Sequence, residues 1–321
     1  MSHSSPSDAG AARQPHSDEE WTIHSLNIHG TFFERWCQRV IAETPPWQVK
    51  STSYPVEFPP FAPQRGHGQE SALDVRAAAT IGDCLLSLVI ECKKNNPEFV
   101  NWVFVPPSPA TGAHMSSISR FDIAPPGTAP INGPPIFTPP IFTPRIVPLS
   151  LPMPLVSDAR ETRGTYQQYS KGDKTRTSNA AMWDASRQVA LATQAVIFEE
   201  AQFLSALGTH PGPAPRLYRA QAFLPVIVTT ARILACGFDP ADVDPRTGEI
   251  PFDKAYLEER PYVLYEFPLP RSLLMPPPEI GRAIMSGLWE DLARMYIVVV
   301  HSEAFAGFLQ GLPQWALGFL R

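Results

Sequence analysis

Two short apolar runs, ALDVRAAAT (72–80) and CLLSLVIECKK (84–94), flank the tripeptide Ile81-Gly82-Asp83. Glycine opening a two-residue loop is the chemistry of a hairpin with a type II′ turn. With Gly82 and Asp83 as the turn, Ile81 pairs with Cys84. Asp74 then falls directly across from Glu91, and Lys93 shares that face two residues further on. Facing Cβ atoms in such a pair are ~4.5–5.5 Å apart, and like charges so placed are destabilising. A folded chain tolerates them when a divalent cation or a lysine neutralises the pair. Mg²⁺ characteristically takes one or two carboxylates and keeps several waters. Leu85, Leu86, Leu88, Val89 and Ile90 make the second run core-like, as in a central strand. Spacing alone equally allows a strand that simply emerges into water, with Glu91, Lys93 and Lys94 all solvated.

The rest of the chain must hold that hairpin. Its 321 residues and 44% hydrophobic content are ample for a buried core and exclude wholesale disorder. Residues 1–20 are small, polar and acidic and read as a disordered tail; 21–321 read as one domain. Phe33, Trp36, Cys37, Val40 and Ile41 follow helical spacing from about Gly30 to Glu43, and Trp47–Phe58 reads as a first strand. Residues 105–154 hold 14 prolines in 50 positions, including a tandem PIFTP at 135–144. The insertion, taken as 105–157, is expected to be extended, largely polyproline-like or irregular, because proline cannot donate to a regular ladder. It serves either as a surface excursion that packs back on the body or as an arm for a protein partner. A long helix is expected over 180–204, one strand over 220–238, another over 260–270, a short helix over 279–292 and a last strand before an amphipathic C-terminal segment. The fold class is therefore mixed α/β (α+β), with one main sheet.

Asp74, then an apolar strand ending Val89-Ile90-Glu91-Cys92-Lys93, resembles the D…(D/E)xK signature of the PD-(D/E)XK, or restriction-endonuclease-like, nuclease superfamily. The order helix–strand–strand–strand–helix–strand is also that family's core. The likeness covers residues 28–94 by motif and 180–236 by order of elements. Leu73 stands where the family's name-giving proline would be, and the Pro-rich insertion separates the motif strand from the next helix. The resemblance implies a restriction-endonuclease-like core, a central mixed sheet flanked by helices. It implies that Asp74 and Glu91 bind Mg²⁺ or Mn²⁺ and that Lys93 orients or activates the attacking water. Glu34 of FFERW matches an additional acid on the first helix, and Gln188 matches a helix glutamine that touches the site or the nucleic acid in some members. Each also reads as an ordinary polar helix residue.

Around that motif, Arg76 faces Val89 in the same register and could hold a phosphate or neutralise the acids. Arg160, Arg163, Lys171, Lys174 and Arg176 could contact a phosphate backbone or form a solvated loop. The expected function is a metal-dependent endonuclease acting on nucleic acid, DNA first, with double-strand cleavage favouring a dimer. The alternative is a catalytically inactive module of the same fold serving nucleic-acid binding or protein assembly. The net charge of −5 argues against a broad electrostatic coating of nucleic acid. The absence of a long uncharged apolar run and of a signal-peptide core leads to an expectation of no membrane span and a cytoplasmic location. Cys37, Cys84, Cys92 and Cys236, far apart in apolar segments, are expected to be reduced.

Overall fold

The computed structural model describes residues 17–28, 30–56, 71–95, 100–107, 116–124, 127–129, 136–138, 141–162, 180–207, 218–270 and 294–320. Helix α1 (Asp18–Ile28) begins inside the stretch expected to be disordered, and α2 (Thr31–Ala42) is the expected amphipathic helix. Gly30 joins them at φ 79°, a left-handed conformation that glycine adopts at little cost. Strands β1 (Gln48–Val56), β2 (Ser71–Ile81) and β3 (Cys84–Lys93) form an antiparallel meander. The hairpin register runs from Ile81↔Cys84 to Val75↔Ile90, as the turn chemistry predicts. Gly82 takes φ 59° and Asp83 does not follow it to positive φ, which is what a II′ turn asks of its two central residues.

The chain continues through β4 (Asn101–Val105), β5 (Ser117–Ala124), β6 (Gly127–Ala129), β7 (Ile136–Thr138), β8 (Ile141–Pro148), β9 (Leu155–Val156) and β10 (Asp158–Thr162). Helix α3 (Ala180–Leu207) follows, then β11 (Ala220–Thr229), β12 (Arg232–Phe238), β13 (Ala255–Glu259), β14 (Tyr262–Pro268), β15 (Arg294–His301) and α4 (Phe305–Leu320). The helix expected at 279–292 lies outside the described residues.

The main sheet has nine strands in the order β1-β2-β3-β11-β15-β14-β9, with β5 and β8 attached beside β11. Strands β3, β11 and β15 run parallel, and β1–β2–β3 and β14–β15 antiparallel. Parallel central strands must be covered on both faces. On one face α3 packs on Val89, Phe223, Ile227, Ile297 and Val299; on the other α2 and α4 pack on Leu86, Leu88, Ile90, Val226 and Val298. Helix α3 is buried all round from Val189 to Phe198, which is why its sequence is apolar beyond a single stripe. A second sheet, β10-β4-β12-β13, lies on the α3 side through Trp102, Phe104, Ala159 and Ile233.

Two expectations are corrected. The described part of the Pro-rich insertion joins a regular ladder, since β5 pairs with β11 and β8 pairs along the whole of β5. Its ladder is possible because Pro144 and Pro148 sit on β8, an edge strand whose far side needs no donors. Its apolar residues pack back on the body: Ile118, Phe121 and Ile123 are buried, and Phe121 meets Phe223 edge to face. Second, 220–238 is two strands. Residues 220–229 belong to the main sheet and 232–238 to the second, with the crossing at Thr230 and Ala231. No helix among the described residues is long and apolar enough to cross a membrane.

Candidate active site

The end of β3 carries three residues with different fates. Ile90, just before them, is fully buried, and Glu91 is still only 6% exposed. Cys92 points to the α2 side, where it packs with the buried Cys37. Lys93 is half-buried at the strand's last position. A charged group this deep needs a partner, because an isolated carboxylate away from water costs several kcal/mol.

Asp74 lies one residue beyond the last regular β2–β3 pair, level with Glu91. One of its oxygens, Oδ2, accepts the Cys92 N–H at 2.7 Å, which fixes the carboxylate against the motif strand. The β1–β2 register shifts between Val49 and Ser51 and then holds through Thr52↔Val75 and Tyr54↔Leu73, but the intervening Ser53 takes φ 50°. Val75 packs on the α2 side while Leu73 packs on the α3 side, so the two-residue alternation breaks at Asp74. A non-glycine residue held in the left-handed region beside a buried carboxylate is the kind of local strain that collects at functional sites.

Helix α2 brings the fourth group. Glu34 lies one helical turn before Cys37, so the two share a face. The packing of Cys37 on Cys92 directs Glu34 toward Asp74, and the two carboxylates sense each other electrostatically. Burial pushes the Asp74 carboxyl up to about 7; the Cys92 N–H opposes this, Glu34 adds to it and Lys93 opposes it. Glu91 is pushed well above the ordinary carboxylate range by burial first, then by Asp74, with Lys93 pulling the other way. Glu34 is raised by burial, against the pull of Arg35. Asp74 and Glu91 thus share Lys93 in a poorly hydrated place, with the Glu34 charge raising both, an arrangement that favours a bound cation or a proton. Among the described residues no group of three or more histidine, cysteine or carboxylate side chains is gathered for metal binding. A carboxylate pair such as Asp74 and Glu91 nevertheless suits Mg²⁺, which leaves most of its shell to water and substrate.

Two further candidates are engaged away from this cluster. Arg76 faces Val89 as expected, but its guanidinium pairs with Glu200 of α3 instead of the motif acids. Gln188 lies on α3 with its Oε1 buried and without a partner among the described residues. Arg160 is exposed and engages Asp158 at 3.3 Å. Arg163, Lys171, Lys174 and Arg176 lie outside the described residues. One residue that the motif does not point to is Glu161 on β10. It is 2% exposed, and its Oε1 accepts the Met182 N–H at 2.5 Å in the first turn of α3. Its signal in the sequence is faint: Ala159 and Glu161 alternate with Asp158 and Arg160 as a buried strand face would.

Comparison with protein-family models, with curated proteins and with solved structures finds no match for this chain.

Proposed function

We propose that the chain is a metal-dependent nuclease of restriction-endonuclease-like architecture that hydrolyses phosphodiester bonds in DNA. The observation that carries this reading is the convergence of Asp74 and Glu91 beside Lys93 at the end of a buried strand, with Glu34 of α2 acting on both acids. The order α2-β1-β2-β3-α3-β11, with β11 parallel to β3, supports it because it is the order the sequence resemblance implies.

Asp74 and Glu91 would hold Mg²⁺ or Mn²⁺, with Glu34 as the outer acid. A bound divalent ion supplies Lewis-acid polarisation of the phosphoryl oxygen and lowers the pKa of its water. The protein's own groups do the rest. The Cys92 N–H keeps the Asp74 carboxylate from rotating. The Lys93 ammonium offers a positive charge where negative charge develops on the phosphoryl group, and can orient the attacking water. Burial of Glu91 keeps bulk water from screening these charges.

The test is a titration with Mg²⁺ and Mn²⁺, reading cleavage of plasmid and single-stranded DNA beside thermal stability, with Asp74→Ala as control. Metal-dependent cutting lost in Asp74→Ala is the expected result. Metal-induced stabilisation with DNA binding but no cutting would favour the inactive module. Absence of both cutting and metal stabilisation would overturn the metal site.

A further inference from the structure

We infer that the β12–β13 ribbon is a docking edge for a protein partner, which adds a basic, extended segment to β13 as a further strand. The ribbon is a surface other than the motif hairpin, so the inference stands whether or not the chain cuts DNA.

Strand β13 ends the second sheet, and its outer side pairs with no strand among the described residues. Two hydrogen bonds show which of its backbone groups are free. The Arg232 N–H donates to the Val100 carbonyl at 2.9 Å, on the β4 side, and the Arg260 N–H donates to the Ile233 carbonyl at 2.8 Å, across to β12. Bonding direction alternates along a strand, so the pairs Ala235–Glu258 and Gly237–Tyr256 exchange the β12–β13 ladder bonds. The N–H and C=O groups of Ala255, Leu257 and Glu259 are left pointing at the open edge. The register of β12 with β4 ends at Ala235, so the pairs from Cys236–Leu257 to Phe238–Ala255 stand as two strands alone.

The side chains prepare this edge for a partner. Tyr256 is 66% exposed, yet its ring is held across Gly237, where a Cβ would come within 2.2 Å of the ring carbon Cζ. Gly237 does not take a positive φ, so what glycine supplies there is close approach. A ring fixed before binding loses little entropy when it is covered. Leu257 and Phe252 are also open to solvent, and an open edge beside apolar side chains is a template for strand addition.

Charge selects the occupant. Residues 239–259 hold seven acids and two bases, a net charge equal to the −5 of the whole chain. That repels nucleic acid, and it repels a second copy of the same edge, which would set acid against acid. It favours a segment with Lys or Arg at alternate positions, whose cations reach the acids and the Tyr256 face while its backbone completes the ladder. The ion pairs already present, Arg232–Glu259 and Arg260–Glu258, are solvent-exposed and cost little to share.

The probe is a fluorescent, end-capped peptide of alternating lysine and valine, long enough to span β13, titrated with the full chain at ~0.15 M salt and read by anisotropy. A glutamate–valine peptide is the charge control. The fully N-methylated lysine–valine peptide keeps the charge but has no amide donor. The unmodified basic peptide should bind at least ~10-fold more tightly than either control. Leu257→Pro deletes one outward N–H without touching a β12–β13 bond. It should weaken binding by ~10-fold or more and leave the melting midpoint unchanged. Tyr256→Ala should weaken binding ~3–10-fold. Equal binding of the two basic peptides, or no binding of either, would overturn the inference. So would self-association of the parent protein that Leu257→Pro abolishes, which makes a second copy the occupant, or retention of duplex DNA that Leu257→Pro abolishes, which makes the ribbon a nucleic-acid surface. Should Leu257→Pro not fold, the comparison of the two basic peptides on the parent protein decides alone.

Discussion

The molecule holds two acidic regions, and they are opposites. Between Asp239 and Glu259 the chain carries seven acids and two bases, a far higher density than the motif hairpin has. Yet these side chains sit on a ribbon formed by β12, β13 and their connection, where Phe252 and Tyr256 are also open to solvent. Each acid has water or a local partner. Glu259 meets Arg232 at 2.7 Å, Glu258 pairs with Arg260, and Asp239 accepts the Ala241 N–H. The hydrogen bond from Arg232 and its charge hold Glu259 below the ordinary carboxylate range, whereas burial drives Glu91 far above it. Acidic density in a solvated ribbon has little chemical consequence. A few carboxylates buried around one ammonium store electrostatic cost that a substrate-bound cation can relieve.

The largest effect should come from removing an acid of the buried set. Glu91→Gln and Asp74→Ala should each lower DNA cleavage by ~10³-fold or more, measured by plasmid nicking under saturating Mn²⁺. Neither should unfold the protein. Glu91→Gln should instead raise the melting midpoint of the metal-free protein near pH 8, since it deletes a carboxylate that is ionised only at a cost. A fall in stability matching the loss of cleavage would mean that Glu91 serves as a structural ion-pair partner.

The same contrast fixes a pH dependence. In the unfolded chain an Asp titrates near ~3.9. In the folded protein burial pushes Asp74 up to about 7, and Glu91 is raised in the same sense. Between those values the folded state holds protons that the unfolded state has lost, so stability falls as pH rises through this window. Thermal melts of the metal-free protein should show that decline, on the order of a few kcal/mol in all. Added Mg²⁺ should restore more stability at about pH 8 than at about pH 5, because metal and proton compete for the same oxygens. Equal stabilisation at both values would place the metal elsewhere.

A smaller effect is expected at the pair linking β2 to α3. Arg76 and Glu200 are both mostly buried. Substituting either alone, as Arg76→Met or Glu200→Gln, strands its partner and should cost ~1–3 kcal/mol in denaturant unfolding. The double substitution should recover part of that loss. Cleavage per folded molecule should change less than two-fold (about the error of such assays), since Arg76 is engaged by α3 and not by the motif acids.

These elements were not equally legible in the sequence. The hairpin was, because Gly82 pins the turn and a two-residue period carries the register to Val75 and Ile90. The bond from Cys92 to Asp74 was not, since it forms where the two-residue alternation of β2 breaks between Leu73 and Val75. Proline content over 105–154 suggested irregular chain because composition does not say which strand lies at an edge. The split of 220–238 had no breaker to announce it: Thr229, Thr230 and Ala231 carry neither glycine nor proline, and the strand divides because its partners do. Glu161 was hidden for a similar reason. It sits in a five-residue strand amid polar chain, and its donor arrives from α3 only in three dimensions.

The smallest expected effect lies on the exposed ribbon, and it tests the comparison from the other side. Glu249→Gln and Asp253→Asn remove two of its acids without touching an ion pair among the described residues. The melting midpoint should move by no more than about 1–2 °C, and cleavage should be unchanged. Glu259→Gln does break a pair, but one in which both side chains are more than half exposed, so its effect should be just as small and should shrink further as salt is raised. The pH sense is the reverse of that at the buried site. A carboxylate held below its unfolded value adds stability above that value and loses it as pH falls, so whatever Glu259→Gln costs should vanish in acid. If instead any of these substitutions impaired cleavage, the ribbon would belong to the working surface, and solvation would not be what separates the two acidic regions.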